Sequence, residues 1–170
     1  AGPGQLGLLQ AARRRGLFVI AVDRDPLAVG FAHATRRAIL SVEDELAVER
    51  LAAAEDVDGV IAPGGDAAVG AAARIAARLG LPHPLEPAVA AAAASKLRQR
   101  ELLATAGVPQ PAWVACAARA EAAAAAAQVG LPCVVKPVDR SGQKALALVR
   151  RPAELTEAAE AALASSRAGR

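Results

Sequence analysis

The chain has 170 residues, 54% apolar and 22% charged, with 20 Lys and Arg against 17 Asp and Glu. This is a globular composition, long enough to bury a core as one domain or two small ones, and it is not that of a disordered chain. The net charge of +3 comes from scattered arginines (Arg13-Arg14-Arg15, Arg36-Arg37, Arg150-Arg151) and aromatics are only 2%, so neither a dense basic tract nor a base-stacking platform points to nucleic acid.

Gln5 to Arg15 is expected to form a helix, and Leu17 to Val22 a buried parallel strand ending at Asp23. Arg24-Asp25-Pro26 breaks it. A short strand at 38–40 precedes Ser41-Val42-Glu43-Asp44, which resembles a capping box for a helix to about Glu55. Gly59-Val60-Ile61-Ala62 is expected as another short buried strand. Pro63-Gly64-Gly65 stops it, Asp66 caps the next helix, and Gly80 ends that helix. Strands and helices alternating over short turns imply a parallel sheet. Leu81-Pro82-His83-Pro84 and Pro87 mark a linker into an alanine-rich helix that passes Ser95-Lys96 and closes at Gly107-Val108-Pro109. Beyond it, Trp113 to Cys116 is expected as a strand, Glu121 to Val129 as a helix, and Cys133 to Val135 as a strand that returns at Ala145 to Val149. Pro152 opens a final helix.

The segment from Cys133 to Ala145 carries the most chemistry. A short apolar run delivers Lys136 to the end of a strand, and a polar turn with Ser141, Gly142 and Lys144 follows. Cations held by a rigid strand, with hydroxyl and backbone N–H donors beside them, suit phosphate oxygens, and Lys96 can add a second positive charge. A lysine-rich hairpin tip is the plain alternative. Gly2-Pro3-Gly4-Gln5-Leu6-Gly7 matches the dinucleotide-binding glycine pattern, with Asp23 placed as a ribose-binding acid, so an NAD(P)-binding oxidoreductase domain stays open, as does a non-enzymatic scaffold. Gly64, Gly65 and Asp66 form a second turn opening a helix, expected on the same sheet edge as the first. Cys116, Cys133 and Trp113 read as packing residues, and His33 and His83 as surface or loop residues without metal-ligand partners.

In this order and spacing, four segments resemble the ATP-grasp superfamily: Gly2–Gly7 through Asp23, Ala62–Asp66, Ser95-Lys96 with Gly107-Val108-Pro109-Gln110-Pro111, and Val134–Pro137 with Ser141-Gly142. The resemblance implies an α/β protein. Residues 1–86 would be a Rossmann-like pre-ATP-grasp domain, 87–111 a linker helix, and 112–170 a small α+β first lobe of an ATP-grasp domain. It implies binding of ATP phosphates by Lys96, Lys136, Ser141, Gly142 and Lys144, and a second substrate facing Gly4, Gln5, Gly64, Gly65 and Asp66. The implied reaction activates a carboxylate as an acyl phosphate, which an amine or thiol then attacks. Ala145 departs from the family, whose loops carry a glycine there.

The resemblance further implies ATP and Mg as cofactors, with the metal ligands outside this chain, and small-molecule carboxylate and amine substrates as partners. No nucleic-acid or membrane partner is expected, and a homo-oligomer is left open. With two cysteines and no secretory or membrane-spanning pattern, the expected setting is the cytoplasm. The chain contains no methionine and opens inside a glycine turn. It is therefore expected to be a piece of a longer ligase, inactive by itself.

Overall fold

The computed structural model describes residues 1–169. It divides into two compact units, Ala1–Ala90 and the chain from Ala91 onward.

In the first unit a 3-10 turn, Pro3–Gln5, leads into helix α1 (Leu6–Arg14). Proline suits this position because a helix start has no use for its missing N–H. Strands β1 (Ile20–Asp23) and β2 (Arg36–Ile39) pair in parallel, with Ile20 opposite Arg36 and Asp23 opposite Ile39. Helices α2 (Glu45–Ala54) and α3 (Asp66–Leu79) pack together. The interior is built largely from alanine: Ala71, Ala72, Ala73 and Ala76 of α3 are buried beside Ile75, with Ala21 of β1, Leu9 of α1 and Ala52 of α2. Arg74 and Arg78 of α3 pair with Glu45 of α2, and Arg78 also reaches Glu49. These pairs lie at the surface, where each stabilises by about 1 kcal/mol at most.

Four expectations for this unit are corrected. The strand begins at Ile20, leaving Leu17 and Phe18 exposed. Gly59 to Ala62 is not a strand, and Ile61 is 63% exposed. An extended segment becomes a strand only when a neighbour takes its N–H and C=O groups, and none does so here. The cap of α2 is Asp44, which accepts from the Ala47 N–H at 3.1 Å, while Ser41 closes its own small turn on the Glu43 N–H. Asp66 is the first residue of α3 and not its cap; extended Gly65 takes that place. Gly80 ends α3 at φ +67°, as its lack of a side chain permits.

Helix α4 (Pro87–Ala93) and helix α5 (Lys96–Thr105) replace the single expected helix. The break comes at Ser95, whose hydroxyl caps α5 by accepting from the Arg98 N–H. Helix α6 (Ala122–Val129) ends at Gly130 and is followed by the antiparallel strands β3 (Cys133–Val135) and β4 (Ala147–Val149), then helix α7 (Leu155–Ser165). Trp113 to Cys116 forms no strand, again for want of a ladder partner. The core of this second unit joins Ala126 of α6, Val149 of β4 and Leu155 and Ala158 of α7, with Cys133, Val135 and Ala147 against it. The period of two is explicit: Cys133 opposite Val149 and Val135 opposite Ala147 face inward, whereas the pair Val134 and Leu148 lies outward, 52% and 46% exposed. Cys116 and Cys133 are free thiols. Among the described residues no helix is long and apolar enough to cross a membrane.

Candidate functional site

Lys136 follows β3 directly and precedes Pro137, which is fully buried. A residue before proline is biased toward extended backbone by the ring, which suits Lys136 directly after the strand. Its side chain is exposed. The loop that follows returns at Ala147 and bends sharply between Ser141 and Leu146, where the Leu146 N–H donates to the Gln143 carbonyl at 3.3 Å. Gly142, Gln143 and Ala145 all have left-handed backbone, with φ of +68°, +58° and +51°. Only the first is a glycine. For an L residue this conformation costs about 1–2 kcal/mol, so Gln143 and Ala145 store strain in the turn. Ser141, Gly142 and Lys144 are exposed, and among the described residues neither Lys136 nor Lys144 has a hydrogen-bond or ion-pair partner for its ammonium group.

Lys96 reaches this loop from α5. Its backbone N–H donates to the Val138 carbonyl at 2.8 Å, and its ammonium donates to the Arg140 carbonyl. The two lysines expected to act together are thus brought to one loop in different ways: Lys136 stands at its start with an ammonium that has no partner among the described residues, and Lys96 grips its stem. Sequence reasoning missed Asp139 and Arg140, which fasten the same stem to the chain leaving α7. Asp139 accepts from the Arg167 N–H at 3.1 Å and the Ala168 N–H at 2.7 Å, and Arg140 Nε donates to the Ser165 carbonyl. Burial pushes the Asp139 carboxyl up, but the Ala168 and Arg167 N–H groups, the Ser166 hydroxyl and the Arg140 charge together hold it below the ordinary aspartate range. No local pattern marks this pair, because its partners lie 25 to 29 residues downstream.

In the first unit, Gln5 links the two glycine turns. Its Nε2 donates to the Pro63 carbonyl at 2.9 Å, and a Cβ on Gly64, whose φ is +82°, would stand 3.3 Å from the same nitrogen. Gly4 is open, with nothing within 4 Å of the position a Cβ would take. Asp66 makes no capping hydrogen bond. Asp23, the acid on which the dinucleotide reading rests, closes a local turn, its Oδ1 accepting from the Asp25 N–H at 3.1 Å.

Among the described residues no three His, Cys, Asp or Glu side chains gather as a metal-binding group. Two acids of the last helix region, Glu154 and Glu160, have structural partners. Glu154 accepts from the Arg150 and Arg151 N–H groups and from the Arg151 guanidinium, and Glu160 pairs with Arg119.

Residues 95–169 match the family model of the carbamoyl-phosphate synthase L chain ATP-binding domain. That stretch begins at the capping Ser95 and contains Lys96, Lys136 and the whole strained loop. Over these residues the chain belongs to the ATP-grasp superfamily. It is 35% identical to the formate-dependent phosphoribosylglycinamide formyltransferase of Burkholderia pseudomallei over 174 aligned residues, covering 98% of this chain and 42% of that protein. The N5-carboxyaminoimidazole ribonucleotide synthetase of Thermus thermophilus is similar in structure, with a TM-score of 0.72 and 29% identity over 95% of this chain and 42% of that one. The L-amino acid ligase of Bacillus licheniformis shares the fold at a TM-score of 0.76 and 23% identity, over 93% of this chain and 39% of that one. The chain spans 32% to 42% of the length of the curated relatives it matches. As an ATP-grasp chain it is an α/β protein carrying part of an ATP-binding region, and the nicotinamide alternative receives no support from these matches.

Proposed function

We propose that this chain is the ATP-binding portion of a carboxylate–amine (or carboxylate–thiol) ligase. In the complete reaction a substrate carboxylate oxygen attacks the γ-phosphorus of ATP, giving an acyl phosphate and ADP. The amine or thiol then attacks the acyl carbon, and inorganic phosphate leaves. The residues assigned to the phosphates are Lys136, Lys144, Ser141 and Gly142, with Lys96 setting the loop stem and offering its remaining N–H groups. The observation that carries this reading is the pair of ammonium groups, Lys136 and Lys144, without a partner among the described residues, on a loop whose backbone is already bent into a compact turn. Such a turn presents N–H groups beside fixed cations, the donor set a polyphosphate needs. Val134 and Leu148, exposed on the outer face of the same hairpin, offer an apolar surface to a flat base.

Residues 1–86 are proposed as the pre-ATP-grasp domain, 87–111 as the connecting helices and 112–170 as the first lobe. The turns joined by Gln5 (Gly4, Gln5, Gly64, Gly65 and Asp66) would face a small-molecule substrate. Magnesium, whose ligands the family resemblance places outside this chain, would neutralise the charge developing on the transferred phosphoryl group. The proposed setting is the cytoplasm, with a homo-oligomer left open.

Calorimetric titration of the chain with ADP and ATP tests the assignment. Lys136→Ala and Lys144→Ala should each weaken binding about tenfold or more, the scale of one lost hydrogen bond to a charged group. Unchanged affinity in both variants would favour a scaffold that has kept the fold without the site. Robust ATP hydrolysis by the 170-residue chain alone would contradict the assignment of metal ligands elsewhere.

A further inference from the structure

Asp139 and Arg140 take no part in the phosphate contacts assigned above, yet they lie between the buried Pro137 and the exposed Ser141, at the root of the loop. Both side chains turn to the chain leaving α7. Arg140 Nε donates to the Ser165 carbonyl, one of the last carbonyls of α7. Helix-end carbonyls lack intrahelical partners and carry the negative end of the helix dipole, so a guanidinium is well suited there. The next residues present their N–H groups to Asp139: Arg167 at 3.1 Å and Ala168 at 2.7 Å, joined by the Ser166 hydroxyl. Two consecutive N–H groups on a half-buried carboxylate make charge-assisted bonds, roughly twice as strong as neutral ones. From the other side, Lys96 holds the Val138 and Arg140 carbonyls. The stem 138–140 is thus clamped between the start of α5 and residues 165–168.

We propose that Asp139 and Arg140 are positioning residues, a two-part latch that docks the loop stem on Ser165–Ala168 and so couples the order of that segment to nucleotide affinity at the loop. The functional half of this inference rests on the loop being a phosphate site; the latch itself does not. Because coupling between two sites is reciprocal, nucleotide on the loop slows amide exchange at Arg167 and Ala168, and loosening that segment weakens nucleotide binding.

The test is amide hydrogen exchange by NMR on the full chain, with and without ADP, combined with ADP titration. Asp139→Ala is expected to speed exchange at Arg167 and Ala168 about tenfold without nucleotide, the scale of one lost charge-assisted bond. It should also speed exchange at Gly142 to Lys144 and weaken ADP binding by a similar factor. Arg140→Met should act in the same direction, and Arg140→Lys, which keeps a cation for the Ser165 carbonyl, should restore most of the effect. Asp139→Asn keeps the shape and one acceptor oxygen, so it reports an intermediate effect should the alanine variant fold poorly. Unchanged exchange at Arg167 and Ala168 in a folded variant overturns the latch. Faster exchange there with no change at Gly142 to Lys144 overturns the coupling, whether or not ADP binds. Failure of the phosphate site itself appears separately, as unchanged ADP affinity in Lys136→Ala.

Discussion

The ammonium group of Lys96 donates to the backbone carbonyl of Arg140, 44 residues away in the chain. A lysine at a helix start, next to a capping serine, ordinarily points into solvent. Here it is a structural cation, and the first consequence concerns the loop it holds.

Lys96→Met removes the ammonium bond but keeps the N–H to Val138 and nearly the same aliphatic volume. The expected loss of stability is about 1 kcal/mol, at the low end for a charged hydrogen bond because the side chain is only partly buried. Urea unfolding of the variant checks it. A stability equal to the parent would show that the bond contributes nothing net.

Ala145 occupies a left-handed position, φ +51°, a conformation glycine adopts at less cost. Ala145→Gly should relieve about 1 kcal/mol of strain, partly offset by the extra freedom of glycine in the unfolded chain. The net change in thermal midpoint is expected to be positive. A lowered midpoint would mean that the turn does not hold this conformation in solution.

Glu154 titrates low. The Arg150 N–H and the Arg151 guanidinium, both bonded to it, hold its carboxyl at about 2 against an ordinary value of 4.5. The folded value lies below the unfolded one, so the ionised form favours folding. That contribution is complete above about pH 4.5 and is lost as pH falls toward 2. NMR titration of the Glu154 carboxyl should show the depressed midpoint, moving upward with added salt because the site is open to solvent. Glu154→Gln should remove this part of the acid dependence; a midpoint near 4.5 in the parent would exclude these Arg150 and Arg151 contacts in solution.

Much of the second unit was legible from local pattern. The short apolar runs Cys133-Val134-Val135 and Ala147-Leu148-Val149, set either side of a polar turn, placed the hairpin and put Lys136 at its end, a local signal that needs no distant residue. Gly80 marked the end of α3 for an equally local reason, its positive φ. Gly59–Ala62 and Trp113–Cys116 misled because an apolar run encodes a wish for burial, and a ladder partner must come from elsewhere in the chain.

The sequence by itself determined the α/β class, the family and the position of the cationic loop, since these rest on periodicity, turn residues and the order of short segments. Only the tertiary structure decided what the polar atoms do. Gln5 bonds the Pro63 carbonyl, Lys96 the Arg140 carbonyl, and Asp139 the N–H groups of Arg167 and Ala168. Each joins groups 28 to 58 residues apart. A side chain's type states that it can donate or accept, while its partner is settled by which backbone atoms the packed core brings within about 3 Å.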